Sequence, residues 1–175
     1  MARITISELK PDELSANLQG LAEVLHASVN EGASVSFILP HSLDDSRAFW
    51  RDQVFPSVLA GRRILLVARQ SGKLAGTVQL DLDLPPNQAH RGEVAKLLVH
   101  PAFRRQGIAK ALMKALEQRA RGLGKRLITL DTRTGDTAEP LYRRLGYQTA
   151  GVIPGYCRAP AEDRYDSTTY MYKAL

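Results

Sequence analysis

At 175 residues, 44% hydrophobic and 24% charged, with a mean hydropathy of -0.22, the chain is long enough to bury one substantial core and excludes the disordered, collagen-like and coiled-coil classes. A net charge of +6, from 24 Lys and Arg against 18 Asp and Glu, favours a polyanionic partner such as nucleic acid or a phosphorylated cofactor. Apolar stretches such as 64–68 and 97–99 are too short to span a bilayer, and MARITISELKPDE has no secretory segment, so a cytoplasmic location with no membrane partner is expected.

In chain order, residues 3–7 alternate and predict an edge strand. Pro11 opens a helix whose Leu14, Leu18, Leu21, Ala22 and Leu25 keep the helical period and which ends near Glu31-Gly32. GASVSFILP reads as a loop. A second helix, begun by Asp44 or Ser46, carries Phe49, Trp50, Val54 and Val58, with Pro56 shortening or bending it. Strands over 64–69 and 74–83 form an antiparallel pair joined by Gln70-Ser71-Gly72-Lys73, and Leu84-Pro85-Pro86-Asn87 breaks the chain before a strand over 92–99. A long helix from about Gly107 to Gly122 presents Ile108, Leu112 and Leu116 in one row, widened by Ala109, Met113 and Ala120. A strand over 126–131, a short helix over 138–145 ended by Gly146, and strands over 147–153 and 168–173 complete the chain. No linker or repeat divides it, so one domain over 1–175 is expected. The order predicts an α/β (α+β) sandwich built on a mixed, mostly antiparallel sheet, with no doubly wound arrangement.

The single Cys157 among four scattered histidines offers neither an internal disulfide nor a zinc spacing, so no metal is expected, and in GYCRAP it reads as a packing residue. Ten basic residues against two acids, Glu93 and Glu117, lie between Arg91 and Arg126. Lys110, Lys114, Arg119 and Arg121 read as a solvated helix face, whereas Arg104 and Arg105 occupy a turn. That turn, Arg104-Arg105-Gln106-Gly107-Ile108-Ala109 and on to Lys110, runs from a strand end at His100-Pro101 straight into the long helix. Amide N–H groups at a helix start have no intrahelical acceptors and sit at the positive end of the dipole, which suits an anion. Gly107 and Ala109 let phosphate oxygens approach the backbone, and the two arginines add charge-assisted contacts, so a pyrophosphate is the expected target. The chain holds no Gly-Lys-Ser/Thr ending of a Walker loop, and Gly122-Leu123-Gly124 lacks the strand and third glycine of a dinucleotide fingerprint.

LLVHPAFRRQGIAKALM resembles the acetyl-coenzyme A signature of the GNAT superfamily of N-acetyltransferases, a Gln/Arg-x-x-Gly-x-Gly/Ala turn matched by Arg104, Gly107 and Ala109. AEPLYRRLGY, residues 138–147, resembles that superfamily's second motif. The resemblance implies the GNAT fold, a six- to seven-stranded sheet with about four helices, and acetyl-CoA as cosubstrate. GASVSF, EVAKLLVHP, TLDT and PGYCRAP are further similar to the subgroup of the tabtoxin resistance protein, which acetylates a β-lactam amino-acid toxin. By resemblance, the backbones of Leu97, Leu98 and Val99 receive the pantetheine arm and the thioester oxygen, with the Leu98 amide the expected oxyanion donor. Arg104, Arg105, Gln106, Gly107, Ile108, Ala109 and Lys110 hold the diphosphate. Tyr142 is the expected general acid, since a phenol stays protonated at neutral pH and can protonate a thiolate. Glu93 and Asp131 are candidates for the base or the ammonium site, and Ser34, Val35, Ser36, Phe37 and Tyr156 for the acceptor pocket.

The expected activity is therefore direct acetyl transfer, in a ternary complex, to the amine of an amino-acid-like or antibiotic-like small molecule. The alternatives are acetylation of a protein N-terminus or lysine, and a non-catalytic module binding acyl-CoA or nucleic acid. With 6% aromatics and no aromatic-basic interleaving, the sequence speaks against nucleic acid. A monomer and a homodimer fit equally.

Overall fold

The structure, a computed structural model, describes residues 3–175. Seven strands form one sheet: β1 (Ile4–Glu8), β2 (Arg63–Gln70), β3 (Lys73–Asp81), β4 (Arg91–Val99), β5 (Leu127–Arg133), β6 (Gln148–Arg158) and β7 (Tyr165–Ala174), in the order β1-β2-β3-β4-β5-β7-β6. Every pairing is antiparallel except β4 with β5. The helices are α1 (Leu14–Asn30), α2 (Leu43–Ala48), α3 (Phe55–Leu59), α4 (Ile108–Gly122) and α5 (Ala138–Arg144). A π-helical stretch, Phe49–Val54, joins α2 to α3 as one rod, so the sheet carries four helical units, as the sequence predicts.

Two apolar layers hold these parts together. On one face α1 and the α2–α3 rod bury Leu21, Leu25, Val54 and Trp50 against Leu65, Val67 and Leu98. On the other, the predicted α4 row of Ile108, Leu112 and Leu116 packs with Met113 against Val78, Leu80, Val94, Ile128, Leu130 and Met171. Each fully buried Leu or Ile in these layers is worth about 1.5–3 kcal/mol. Because strand side chains alternate between faces, Glu93, Asp131 and Tyr170, each next to an α4-facing residue, point to the α1 side.

Local details depart from the sequence reading in places. The rod begins not at Asp44 or Ser46 but after Ser42, whose Oγ accepts from the Asp45 N–H at 3.0 Å while its own N–H donates to Asp45 Oδ2 at 2.8 Å. Reciprocal satisfaction of two orphan donors fixes that start. Pro56 sits in the first turn of α3, after the widened π-helical stretch, where its missing N–H needs no partner. The first hairpin closes over only Ser71-Gly72, both at positive φ (50° and 77°), because Gln70 already pairs with Lys73.

Gly76 on β3 positions the functional end of α4. A Cβ there would lie 2.7 Å from the Leu98 carbonyl oxygen and 3.2 Å from Ile108 Cγ2, so only glycine lets the first helical residue after the basic turn settle on the sheet.

Candidate functional site

β4 and β5 pair only over Arg91–Glu93 and Leu127–Thr129. Beyond that both strands stay paired to their outer neighbours but not to each other, which opens a V-shaped gap in the sheet. The cause lies within β4. Its register against β3 shifts between Thr77 and Gln79, where Lys96 adopts φ +50°, a bulge that adds local twist.

The ladder phase decides which amides face the gap. The His100 N–H donates to the Ala75 carbonyl at 2.9 Å, so by alternation the Leu98 backbone faces Thr77 on β3, and the Leu97 and Val99 backbones face the gap. The Leu98 amide, the expected oxyanion donor, is thus turned into the ladder. Its side chain is buried against the α1 layer. The Val99 carbonyl is met by Arg104 Nε at 3.3 Å.

At the end of β4 the chain makes a 3₁₀ turn over Pro101–Phe103, held by the Ala102 N–H donating to His100 Nδ1 at 3.2 Å. The bend that follows holds Arg105 at φ +61° and Gly107 at φ +83°, and the first helical bond runs from the Ala111 N–H to the Gly107 carbonyl. Among the described residues, no protein acceptor meets the N–H groups of Arg105, Gln106, Gly107, Ile108, Ala109 and Lys110. They form a continuous row at the positive end of a 15-residue helix. Nothing lies within 4 Å of a Cβ built on Gly107, so the approach is open. Gln106 Oε1 accepts from Gln70 Nε2 at 2.7 Å, which ties the bend to β2. Arg104 and Arg105 are exposed beside it. These donors fit a diphosphate.

Tyr142 on α5 is 5% exposed, its ring edge-on to Tyr147 at 5.7 Å. Burial, then the charges of Asp131 and Asp136, push its phenol well above the ordinary tyrosine range, so it stays protonated throughout neutral pH. Asp131 is exposed on the α1 side, with Thr168 Oγ1 3.0 Å from its Oδ2, and makes no ion pair among the described residues. Glu93, at the last β4–β5 pair, is held by Arg91 at 3.1 Å.

The expected acceptor residues converge on the same face. Tyr156 and Tyr170 share a hydrogen bond of 2.8 Å between their hydroxyls. That bond, with some burial and the charge of Asp131, pushes Tyr170 up to about 12. Ser34 Oγ lies 3.7 Å from Cys157 Sγ, which joins the 33–37 loop to β6.

Lys96 was missed by the sequence reading, which counted it only among the basic residues. Its Nζ donates to the Val35 carbonyl at 2.8 Å and to Ser36 Oγ at 3.3 Å, and stands 5.4 and 5.6 Å from the ring centres of Phe37 and Phe49. Burial and the nearby Arg63 charge lower its pKa to about 8, against an opposing pull from Asp131. The one hint in the sequence was a lysine inside an apolar strand run, VAKLLV.

The shifted lysine sets a pH dependence. Between about pH 8 and 10.5 the folded state binds fewer protons at this site than the unfolded chain, so stability rises with pH across that window and is lost as pH falls through 8. Relative to Lys96→Met, the wild type should gain about 3 kcal/mol between pH 7 and pH 11. Urea unfolding of both proteins at the two pH values checks this; a constant difference contradicts it.

Comparison with known proteins bears on the same region. The family model described as Acetyltransferase (GNAT) family matches residues 27–147, which takes in the gap, the bend and α5. An uncharacterized N-acetyltransferase of the hisH–hisA intergenic region of Azospirillum brasilense is 28% identical over 128 residues, covering 72% of this chain and 74% of its own. Among solved structures, an N-acetyltransferase from Staphylococcus aureus Mu50 is similar in fold, with a TM-score of 0.80, 16% identity and 99% of each chain covered. The yncA protein of Salmonella typhimurium, solved with its cofactor acetyl-CoA, gives a TM-score of 0.78 at 20% identity, covering 98% of this chain and 94% of that one. No helix among the described residues is long and apolar enough to cross a membrane, and no group of His, Cys, Asp and Glu among them could hold a metal ion.

Proposed function

This chain belongs to the acetyltransferase (GNAT) family, and from that membership we propose that it moves an acetyl group from acetyl-CoA to the amine of a small molecule, by direct transfer in a ternary complex and as a single domain. The observation that carries the reading is the row of unpaired N–H groups from Arg105 to Lys110, standing at the mouth of the β4–β5 gap. A relative in fold was solved with acetyl-CoA, which supports the same ligand here. The fit is chemical: fixed donors at a helix start match a diphosphate, and Arg104 and Arg105 add charge-assisted contacts.

Acetyl-CoA, when bound, supplies an electrophilic acyl carbon and a thiolate leaving group. The Leu97 and Val99 backbones, facing the gap, are the groups that would hold the pantetheine arm. A gap-facing N–H aimed at the growing oxyanion is worth about 3 kcal/mol. Asp131, which makes no ion pair among the described residues, takes the proton from the acceptor ammonium directly or through one water; Glu93, engaged with Arg91, helps to seat the ammonium. With acetyl-CoA bound, the amine nitrogen would bond to the acyl carbon as the carbon–sulfur bond breaks; Tyr142 would give its proton to the departing sulfur and regain one from the nitrogen, which sheds its second proton on becoming an amide.

The 33–37 loop, Tyr156 and Tyr170 bound the acceptor on the α1 face. We assign the chain to the subgroup resembling the tabtoxin resistance protein, on the strength of GASVSF, TLDT and PGYCRAP, which contribute the 33–37 loop, Asp131 and Tyr156 to this face. The test is free-thiol release from acetyl-CoA with a panel of amines, amino acids and peptides. Release with at least one small amine or amino acid is expected; release with peptides alone, or with none of the panel, contradicts the reading.

A further inference from the structure

Lys96 is a largely buried cation whose direct contacts are all neutral, with the charges of Arg63 and Asp131 acting from farther off. Its Nζ meets a carbonyl, a hydroxyl and two aromatic faces, and no carboxylate lies within ion-pair distance among the described residues. Burying a charge without a counter-charge is costly, and a ligand that brings one would offset that cost. An ammonium has three donors, of which Val35 and Ser36 take two.

A second observation comes from β3. Gln79 Nε2 and Thr77 Oγ1 are fully buried with no partner, and both residues are 0% exposed. Val78 and Leu80 face α4, so Gln79 and Thr77 face α1, the side on which Lys96 meets the 33–37 loop. Their strand pairs, Ala95 and Leu98, flank the Lys96 bulge. Arg63 orients the amide of Gln79 by donating to its Oε1 at 3.0 Å, which leaves the nitrogen as the orphan. A cation and two unsatisfied polar groups able to donate therefore surround the bulge, while the acids Glu93 and Asp131 lie on the same face.

We propose that Lys96 is a specificity-determining residue for the acceptor, its Nζ receiving the carboxylate of a free amino acid whose amine lies toward Glu93 and Asp131. This rests on the transferase reading above and narrows its substrate class. A zwitterion neutralises both ends of the cleft. A polyamine, a lysine side chain or a peptide N-terminus brings the amine without an adjacent carboxylate and leaves Lys96 buried and unpaired. A site built for a charged partner rejects an analogue lacking it by about tenfold or more.

The experiment is calorimetric titration of the CoA-loaded protein with N-acetyl amino acids and their matching N-acetyl amides, which carry no reactive amine and need no turnover. At least one carboxylate is expected to bind about tenfold or more tightly than its amide, and Lys96→Met, or Lys96→Gln should the first variant fail to fold, to bring that ratio to near one. A purely structural lysine would weaken both ligands alike and leave the ratio intact. An unchanged ratio in the variants, or no carboxylate that outbinds its amide in the wild type, overturns the inference. Failure of the transferase reading shows separately, as absent thiol release with every amine.

Discussion

Replacing Tyr142 with Phe is expected to lower kcat about a hundredfold or more, with the dissociation constant for acetyl-CoA changed less than about threefold. The phenol is buried and held protonated by desolvation and by the charges of Asp131 and Asp136, so the resting enzyme always holds it as a donor. Phenylalanine keeps the ring, its edge contact with Tyr147 and the fold, and removes only the hydroxyl that carries the proton. Pre-steady-state thiol release with wild type and variant measures the effect. A kcat within about threefold of wild type would take the acid role from Tyr142.

The second large effect is expected at Gly107. Its φ of +83° lies in the region open to glycine, and a Cβ there would touch nothing within 4 Å, so any penalty comes from the backbone. Valine, β-branched, resists that conformation by about 1–3 kcal/mol. Either the strain persists or the bend rebuilds and turns the N–H groups of 105–110 out of alignment. Acetyl-CoA binding to Gly107→Val should weaken about tenfold to a hundredfold. Gly107→Ala, with the same open space and a smaller conformational penalty, should fall between. If calorimetry gave equal affinity for all three proteins, the conformation of the bend would not govern binding.

The elements that sequence made legible are those carried by local chemistry. The α4 stripe of Ile108, Leu112 and Leu116 announces its own face, and Pro11 and Gly146 mark helix limits because their backbone constraints are local. The Arg-Gly bend was readable because a strand end, a left-handed glycine and a helix start follow one another without interruption. What stayed hidden depends on pairing between distant segments. β7 inserts between β5 and β6, so Tyr170 comes to stand opposite Asp131, a neighbourhood that no spacing in the chain announces. The β4 bulge shifts the phase of every residue after it. That shift turns Lys96 toward the 33–37 loop and hands the gap-facing amides to Leu97 and Val99, where strict alternation from one end of the strand cannot follow. Ser42, three residues before Asp45, carried a capping-box signal that the rival cap candidate Asp44 obscured.

The same bulge links the parts of the account. It opens the sheet, frees backbone donors on one edge and turns a cation toward the 33–37 loop. A single irregularity in β4 thereby separates the gap-facing backbones of Leu97 and Val99 from the Lys96 side chain, with Tyr142 on the α4 side and Asp131 on the α1 side.

The central claim, that the bend after His100 grips a diphosphate, is tested most directly by backbone amide shifts in ¹⁵N–¹H spectra during titration with acetyl-CoA. The amides of Arg105 to Lys110 should show the largest shifts, with Leu97 and Val99 moving in step and saturating at the same concentration. Saturation with those amides unmoved, or no saturable change anywhere, would contradict it.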